Sequence, residues 1–290
     1  MATEAILSLQ TPAPSELRRR YTNYFATGLI GLAAVCGVAA LLFILGYVIL
    51  RGFPALNVAF FVERPLPFGE EGGGVGPAIM GTLMMLLVAA AIGIPVGVGT
   101  AIYLSEIGRG SFAQFVRFII DMMAGLPSIV IGVFVWAILV RTVFNQFSGL
   151  AGGVSLAIIM VPIVTRTVEE ILRLVPGNLR EASLALGVPQ WRTILGVVLP
   201  TARVGVVTGV VLSLARAGGE TAPLIMTALG NQFFNFDLRE PMAALPVQIY
   251  TFAKSPYDDW HTKAWGSALV LVIVIGCLSL AARTAVRRKA

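Results

Sequence analysis

The chain has 290 residues, 57% of them hydrophobic and only 12% charged, with a formal net charge of +6. A soluble globular domain carries about 25% charged residues, so this composition, with a mean hydropathy of +0.86, excludes an ordinary water-soluble fold. The basic excess has no basic–aromatic groove or helix-turn-helix pattern beside it, which argues against a nucleic-acid partner.

Residues 1–20 read as a polar tail, disordered as far as Glu16 and ending in Arg18-Arg19-Arg20. Residues 21–290 read as one transmembrane domain. Six stretches are long enough for a hydrocarbon core that needs roughly 20 apolar residues: 21–50, 77–104, 118–140, 146–168, 203–226 and 264–283. In lipid each backbone polar group must be bonded within its own segment, so these are helices, and the alternating pattern of a membrane barrel is absent. The fold class is therefore an all-α polytopic membrane protein with six transmembrane helices. The first stretch far exceeds a signal-peptide apolar region of about 7–15 residues and is not read as a cleaved leader. Pro95, Gly125-Leu126-Pro127-Ser128 and Val161-Pro162 are expected to interrupt three of the helices, either as hinges or as close-packing points. Cys36 and Cys277 both lie inside spans, where they read as small packing residues and not as a disulfide or metal pair.

Two longer loops separate spans on the outer side. In the first, 51–76, the run Gly69-Glu70-Glu71-Gly72-Gly73-Gly74 lacks the Gly-Lys-Ser/Thr ending of a phosphate-binding loop and reads as a flexible linker. In the second, 227–263, the semi-apolar piece Met242–Phe252 lies on or dips into the outer face. Asp258-Asp259-Trp260-His261 reads as a solvated turn before an interfacial tryptophan, not as a metal site.

Basic residues set the orientation. With the amino terminus inside, Arg18, Arg19, Arg20, Arg109, Arg117, Arg166, Arg173, Arg180, Arg192, Arg203, Arg283, Arg287, Arg288 and Lys289 face the cytoplasm, against Arg51, Arg64, Arg141, Arg239, Lys254 and Lys263 outside. Both termini and the loop around Glu181 are therefore expected in the cytoplasm.

An ionisable residue at membrane depth is costly and is a functional hypothesis by default. The fifth span carries Arg216-Ala217-Gly218-Gly219-Glu220, with Arg216 and Glu220 four residues apart on one helix face. The fourth carries Arg166-Thr167-Val168-Glu169-Glu170 near its inner end. Each arginine could simply neutralise the acid beside it. Two such sets at different depths read better as stations on a polar path, because a buried pair by itself adds little stability. Arginine forks suit tetrahedral oxyanions. A mixed Arg/Glu lining suits one that still bears a proton, as phosphate does and sulfate does not.

The loop between the fourth and fifth spans contains Glu181-Ala182-Ser183, three residues, Gly187, nine residues, then Val197-Val198-Leu199-Pro200. This closely resembles the EAA loop of bacterial ABC importer permeases, whose pattern is E-A-A, three residues, G, nine residues, I-x-L-P. Ser183 and Val197 depart from it conservatively. Asp121 to Gly132, Thr165 to Glu170, Gly219 to Leu224 and Leu245 to Tyr250 together resemble the PstA-type permease of phosphate-specific ABC importers, from about residue 20 to the end. The resemblance implies the type I importer permease fold and a cytoplasmic coupling helix that enters a groove of the ATPase. It further implies a heterodimer with a PstC-type sister permease, a PstB-type ATPase dimer below and a PstS-type phosphate-binding protein outside. It assigns Arg166, Glu169 and Arg216, with Glu220 beside them, to the substrate path in a bacterial inner membrane. Glu181, Ala182, Ser183, Gly187, Leu199 and Pro200 fall to ATPase coupling. The chain itself is expected to be no enzyme and to bind no cofactor; ATP and magnesium belong to the ATPase. A permease for sulfate or molybdate is the nearest rival. An ion-driven secondary transporter would call for inverted repeats, and an intramembrane enzyme for a nucleophile–base pair; neither is found.

Overall fold

The computed structural model describes residues 14–67, 70 and 72–287, nearly all of them helical. In chain order the helices are α1 (Pro14–Gly52), α2 (Val58–Val62), α3 (Gly76–Ile102), α4 (Gly110–Gly125), α5 (Ser128–Val135), α6 (Gly149–Arg173) and α7 (Gly177–Ala185). There follow α8 (Gln190–Thr193), α9 (Leu199–Gly218), α10 (Ala222–Thr227), α11 (Leu245–Ala253) and α12 (Asp258–Arg287). Wider π-helical stretches extend α3 over Tyr103–Ile107 and α5 over Trp136–Phe144, and Ile194–Val198 fuses α8 to α9.

The chain divides into two compact units, Met1–Leu50 and Arg51–Ala290. The first is α1 almost alone, a single helix with its apolar side chains exposed along its length. It already begins at Pro14, so the basic triplet Arg18–Arg20 is helical and not part of a disordered tail; residues 1–13 lie outside the described residues.

The second unit is built around α6. Water is not available to drive helix association in lipid, so packing depends on how closely backbones approach. A Cβ added at Gly97 of α3 would sit 2.7 Å from the Val164 Cβ of α6, and one added at Gly153 would sit 2.6 Å from the Val88 Cβ. Only glycine permits these two contacts, and their order shows that α3 and α6 run parallel. Thr165 reinforces the seam, donating its hydroxyl to the Gly97 carbonyl at 3.2 Å. On another face of α6, Gly205 and Gly209 of α9 lie against Ile171 and Thr167 respectively, so α9 runs antiparallel. Met85, Ala89, Leu156, Met160, Ala217 and Leu224 fill the centre of this three-helix core.

The end of the bundle at which α6 begins is stitched by loop backbone. Ser148 caps α6 by accepting from the Ala151 amide at 3.2 Å. Gly149 and Leu150 donate to the carbonyls of Glu240 and Leu238 at 2.9 and 2.7 Å, so amides left over at a helix start find partners in the loop before α11. The expected surface piece is the ordered helix α11, whose Phe252 packs edge-on to Trp260 at 4.7 Å. Gly72–Gly74 is no loose linker: Gly74 donates to Arg64 O at 3.0 Å, and a Cβ on it would lie 2.4 Å from Ala59 O. The Asp258–His261 segment is the first turn of α12, solvated at Asp258 and His261 as expected, but its tryptophan is not interfacial. Its Trp260 is buried, its Asp259 pairs with Lys263 at 2.5 Å, and no cluster of metal-ligating residues occurs among the described residues.

Two expected breaks and two span limits need correction. Pro95 and Pro162 lie inside continuous helices, so neither interrupts its span. The break expected at Gly125–Ser128 is present, but the span runs beyond 118–140: Gly110–Gly125 and Ser128–Phe144 meet at 103° across Leu126-Pro127. Proline at 127 removes an amide and forces Leu126 out of the helical region; its φ and ψ are −71° and 133°. The expected 203–226 span ends at Gly218, with α10 a separate short helix. Among the described residues, five unbroken helices are long and apolar enough to cross a membrane. Because α3 and α6 run parallel, the bent pair α4–α5 between them must return the chain to the starting side, which makes it a sixth, broken crossing.

This directionality is testable. In a background lacking Cys36 and Cys277, Ser111→Cys at the start of α4 and Asp258→Cys at the start of α12 should label with impermeant thiol reagents from opposite sides of the membrane. Labelling of both from one side would disprove the six-crossing arrangement.

Candidate functional site

Charged side chains collect on one flank of the α6 core. Glu169 is 4% exposed and its Oε1 accepts from Arg117 Nε of α4 at 2.9 Å and from Arg173 Nη2 at 2.6 Å. Arg117 also donates to the Leu104 carbonyl at 2.7 Å. The alternative in which Arg166 neutralises an acid of its own helix is not what the structure shows. Arg166 reaches across to Asp121 of α4, and both remain open, 39% and 50% exposed. Arg166 and Glu169 therefore share a helix but belong to separate clusters, because a three-residue step turns them toward different stretches of α4.

Arg216 does meet Glu220, with Nη2 2.8 Å from Oε1, but not along one helix face as expected. Helix α9 has ended at Gly218, and the chain turns so that the Glu220 amide donates to Ala217 O at 3.2 Å. Glu220 is 6% exposed and Arg216 63%. The guanidinium is within ion-pair range yet no N–H is aligned on Oε1. Depth follows from helix register: Ala217 shares a core cluster with Met160, about 16 Å along α6 from Gly149 at 1.5 Å per residue. In a core of about 30 Å this is near the midplane. Arg166 lies about 9 Å further along, toward the other end of α6. The two arginines are thus on different levels, as the sequence led one to expect.

The loop after α6 is built to hold one short helix rigidly. Arg180 of α7 grips Glu106 at the end of α3 through Nε–Oε2 at 2.9 Å and Nη2–Oε1 at 2.7 Å. It also donates to the carbonyls of Val175 and Leu172 at 2.6 and 2.8 Å. The hydrogen bonds it donates to Glu106 hold the Arg180 pKa above its ordinary value against the opposing effect of burial. Gln190 adds a bond to Glu106 O at 3.0 Å. Ser183, the departure from the EAA pattern, is buried and meets the Thr193 hydroxyl at 2.8 Å, a contact that alanine could not make. Gly187 has φ +78°. With Val188 N bonded to Ser183 O at 3.3 Å and Gly187 N to Leu184 O at 2.9 Å, it closes α7 in a Schellman motif. Nothing lies within 4 Å of a Cβ built there, so its glycine answers to backbone conformation and not to a clash within this chain. Past the turn, Val198 is buried and Leu199 partly so against Leu172 and Val175. Pro200 occupies the first turn of α9 after a π-helical stretch, where its missing amide is tolerated. Glu181 and Ala182 are exposed, as are the apolar Leu179, Leu184 and Leu186.

Glu106, Arg117, Asp121 and Arg180 were not singled out from sequence. Glu106 lies at the very end of an apolar run and Arg180 directly precedes the EAA element, but their partners are 74 residues apart, beyond any local pattern.

Comparison with known proteins assigns the class. The sequence model for binding-protein-dependent transport system inner membrane components matches residues 93–288, and the chain belongs to that family of membrane-embedded permeases. Over most of its length it is similar to phosphate transport system permease proteins PstA. It is 44% identical to that of Pasteurella multocida over 91% of this chain and 94% of the relative. It is 42% identical to that of Yersinia pestis over 93% and 92%, and 40% identical to PstA 1 of Mycobacterium tuberculosis over 93% and 90%. The PstA-type resemblance read from the motifs is thereby borne out. Two crystal forms of the inward-facing MetNI methionine ABC transporter contain chains similar in fold, with TM-scores of 0.63 and 0.59. Identity is 22% and 23%, and 73% and 75% of this chain and 94% of each of those chains are covered. The fold is that of a type I ABC importer permease.

Two outcomes follow from the loop geometry. Gly187→Val should destabilise the α7 turn by about 1–2 kcal/mol, the cost of a left-handed conformation for a side chain, while Gly187→Asn should be nearly tolerated; limited proteolysis of the loop reads the difference. Arg180→Gln leaves the buried Glu106 unpaired and should cost about 3–5 kcal/mol. The double change with Glu106→Gln should recover most of the lost thermal stability, and failure to recover would remove the ion pair from this account.

Proposed function

We propose that this chain is one of two permease subunits of an ATP-driven importer of inorganic phosphate. Its partners would be a PstC-type sister permease, a PstB-type ATPase dimer and a PstS-type phosphate-binding protein. The observation that carries the reading is Arg216, a charge near mid-membrane that is 63% exposed on this chain. Facing hydrocarbon it would be very costly, so protein or water must cover that face, as the sister subunit and a wetted path between the two would do. The names of the PstA relatives supply the cargo, and the side chains suit it.

On the path, Arg216 and Arg166 offer forked donors to the phosphate oxygens. Glu220 beside Arg216 can accept from a phosphate hydroxyl, which sulfate lacks. Glu169 contributes indirectly, by fixing Arg117 and Arg173 beside the path; both donors already occupy one of its oxygens. The loop bearing α7 belongs on the cytoplasmic side, since Arg109, Arg117, Arg173, Arg180, Arg192 and Arg203 cluster at that end, with both termini on the same side. Exposed Leu179, Leu184 and Leu186 give α7 an apolar face for the ATPase, flanked by Glu181 and Ala182. Hydrolysis of ATP and its magnesium belong to that partner, and this chain acts as conduit and lever without chemistry of its own.

Arg216→Gln should reduce phosphate uptake by the assembled importer at least tenfold while the binding protein still docks. Arg216→Gln together with Glu220→Gln separates transport from structure. If the pair only locks α9 to the chain after it, removing both charges restores uptake, because no unpaired carboxylate remains. A transport arginine leaves the double variant inactive though assembled, and substantial uptake by it would refute the assignment.

A further inference from the structure

The two ion pairs between α4 and α6 form a ladder whose rungs have opposite polarity. On one rung Arg117 of α4 meets Glu169 of α6; on the other, one turn along, Asp121 of α4 meets Arg166 of α6. The rungs differ in how firmly they are held. Glu169 is almost fully buried and bonded to two arginines, and Arg117 has a second acceptor in the Leu104 carbonyl. Opening that rung would strand a buried carboxylate. Asp121 and Arg166 are each about half exposed, and among the described residues neither side chain has another polar partner. One rung is a clamp and the other is free to exchange.

We propose that Asp121 is a displaceable counter-ion of the anion path. Its carboxylate occupies the Arg166 guanidinium when no cargo is present, an arriving oxyanion takes the guanidinium from it, and its return expels the anion onward. The proposal rests on the phosphate-path reading and adds to it a residue on a different helix. Three physical points favour it. An exposed guanidinium near the inner half of the membrane needs an anion at all times, and Asp121 is the one in contact with it. The exchange needs only rotation of an exposed side chain, since the Arg117 rung keeps α4 and α6 together. A half-exposed carboxylate competes weakly, by about two- to fivefold in an equilibrium, whereas a bidentate oxyanion makes the stronger contact. A strong competitor would block entry; a weak one limits dwell time.

The test uses the complete importer, with retention of radiolabelled inorganic phosphate measured in lipid nanodiscs before the binding protein is added and uptake measured in proteoliposomes with the binding protein present. Asp121→Asn should hold phosphate about two- to fivefold more tightly than the wild type and turn over more slowly, because nothing displaces the bound anion. Asp121→Glu should stay close to wild type in both. The proposal is overturned by an Asn variant that binds phosphate no more tightly than wild type, or by a Glu variant that behaves like Asn, which would make shape and not charge the cause. Failure of the Asn variant to assemble would identify the rung as a second structural clamp and overturn it equally. A wild-type importer that transports phosphate yet retains none has no such seat, and the proposal falls while the importer reading stands. Absence of phosphate uptake by the wild type itself would refute the importer reading instead.

Discussion

The seam between α3 and α6 is the constraint on which the rest of the molecule depends. Glycines at 97 and 153 let the two backbones approach until valine side chains fill the space where a Cβ would stand, and in lipid such close contact is the main source of helix association. Once the two helices are parallel, the segment between them has to bring the chain back across the membrane. That requirement turns the bent α4–α5 pair into a crossing and lays α4 beside the inner part of α6. The charged ladder exists only because α4 is delivered there.

The arginines and acids of this region sort themselves by burial. Two of the carboxylates sealed from solvent, Glu106 and Glu169, collect two or more N–H donors, because one hydrogen bond cannot replace the water lost; the equally buried Glu220 has only Arg216. Where the pair stays open, as with Arg166–Asp121 and on the Arg216 side of Arg216–Glu220, each group has a single partner and capacity to spare. The number of bonds already made thus separates saturated pairs from pairs with capacity to spare, and residues of identical type divide between them.

The same logic holds for the loop that bears α7. Arg180 ties this helix to the last turn of α3 and to the carbonyls at the end of α6, so displacement of α7 is passed directly to the two central helices. Leu199 and the buried Val198 return the chain against the same α6 end. The result is a short helix with exposed leucines and a rigid inner anchorage.

Much of this was legible in the sequence alone. Apolar length and the need to satisfy every backbone group in lipid determine the helices and nearly all the crossings, and the E-A-S…G…V-V-L-P spacing marks the loop that bears α7 without reference to tertiary contacts. Charges placed inside the spans drew attention to Arg216 and Arg166, which lie at different levels of the helix bundle. Tertiary structure alone decided who pairs with whom. Arg166 turns from its helical neighbours to Asp121, Glu169 to Arg117, and Arg180 to Glu106, since the partner of a charge is set by which helix face packs against it. Pro95 and Pro162 leave their helices unbroken while Pro127 bends its span by 103°. A proline's missing amide is a local fact, but whether the chain turns there depends on what the neighbouring helices will accommodate.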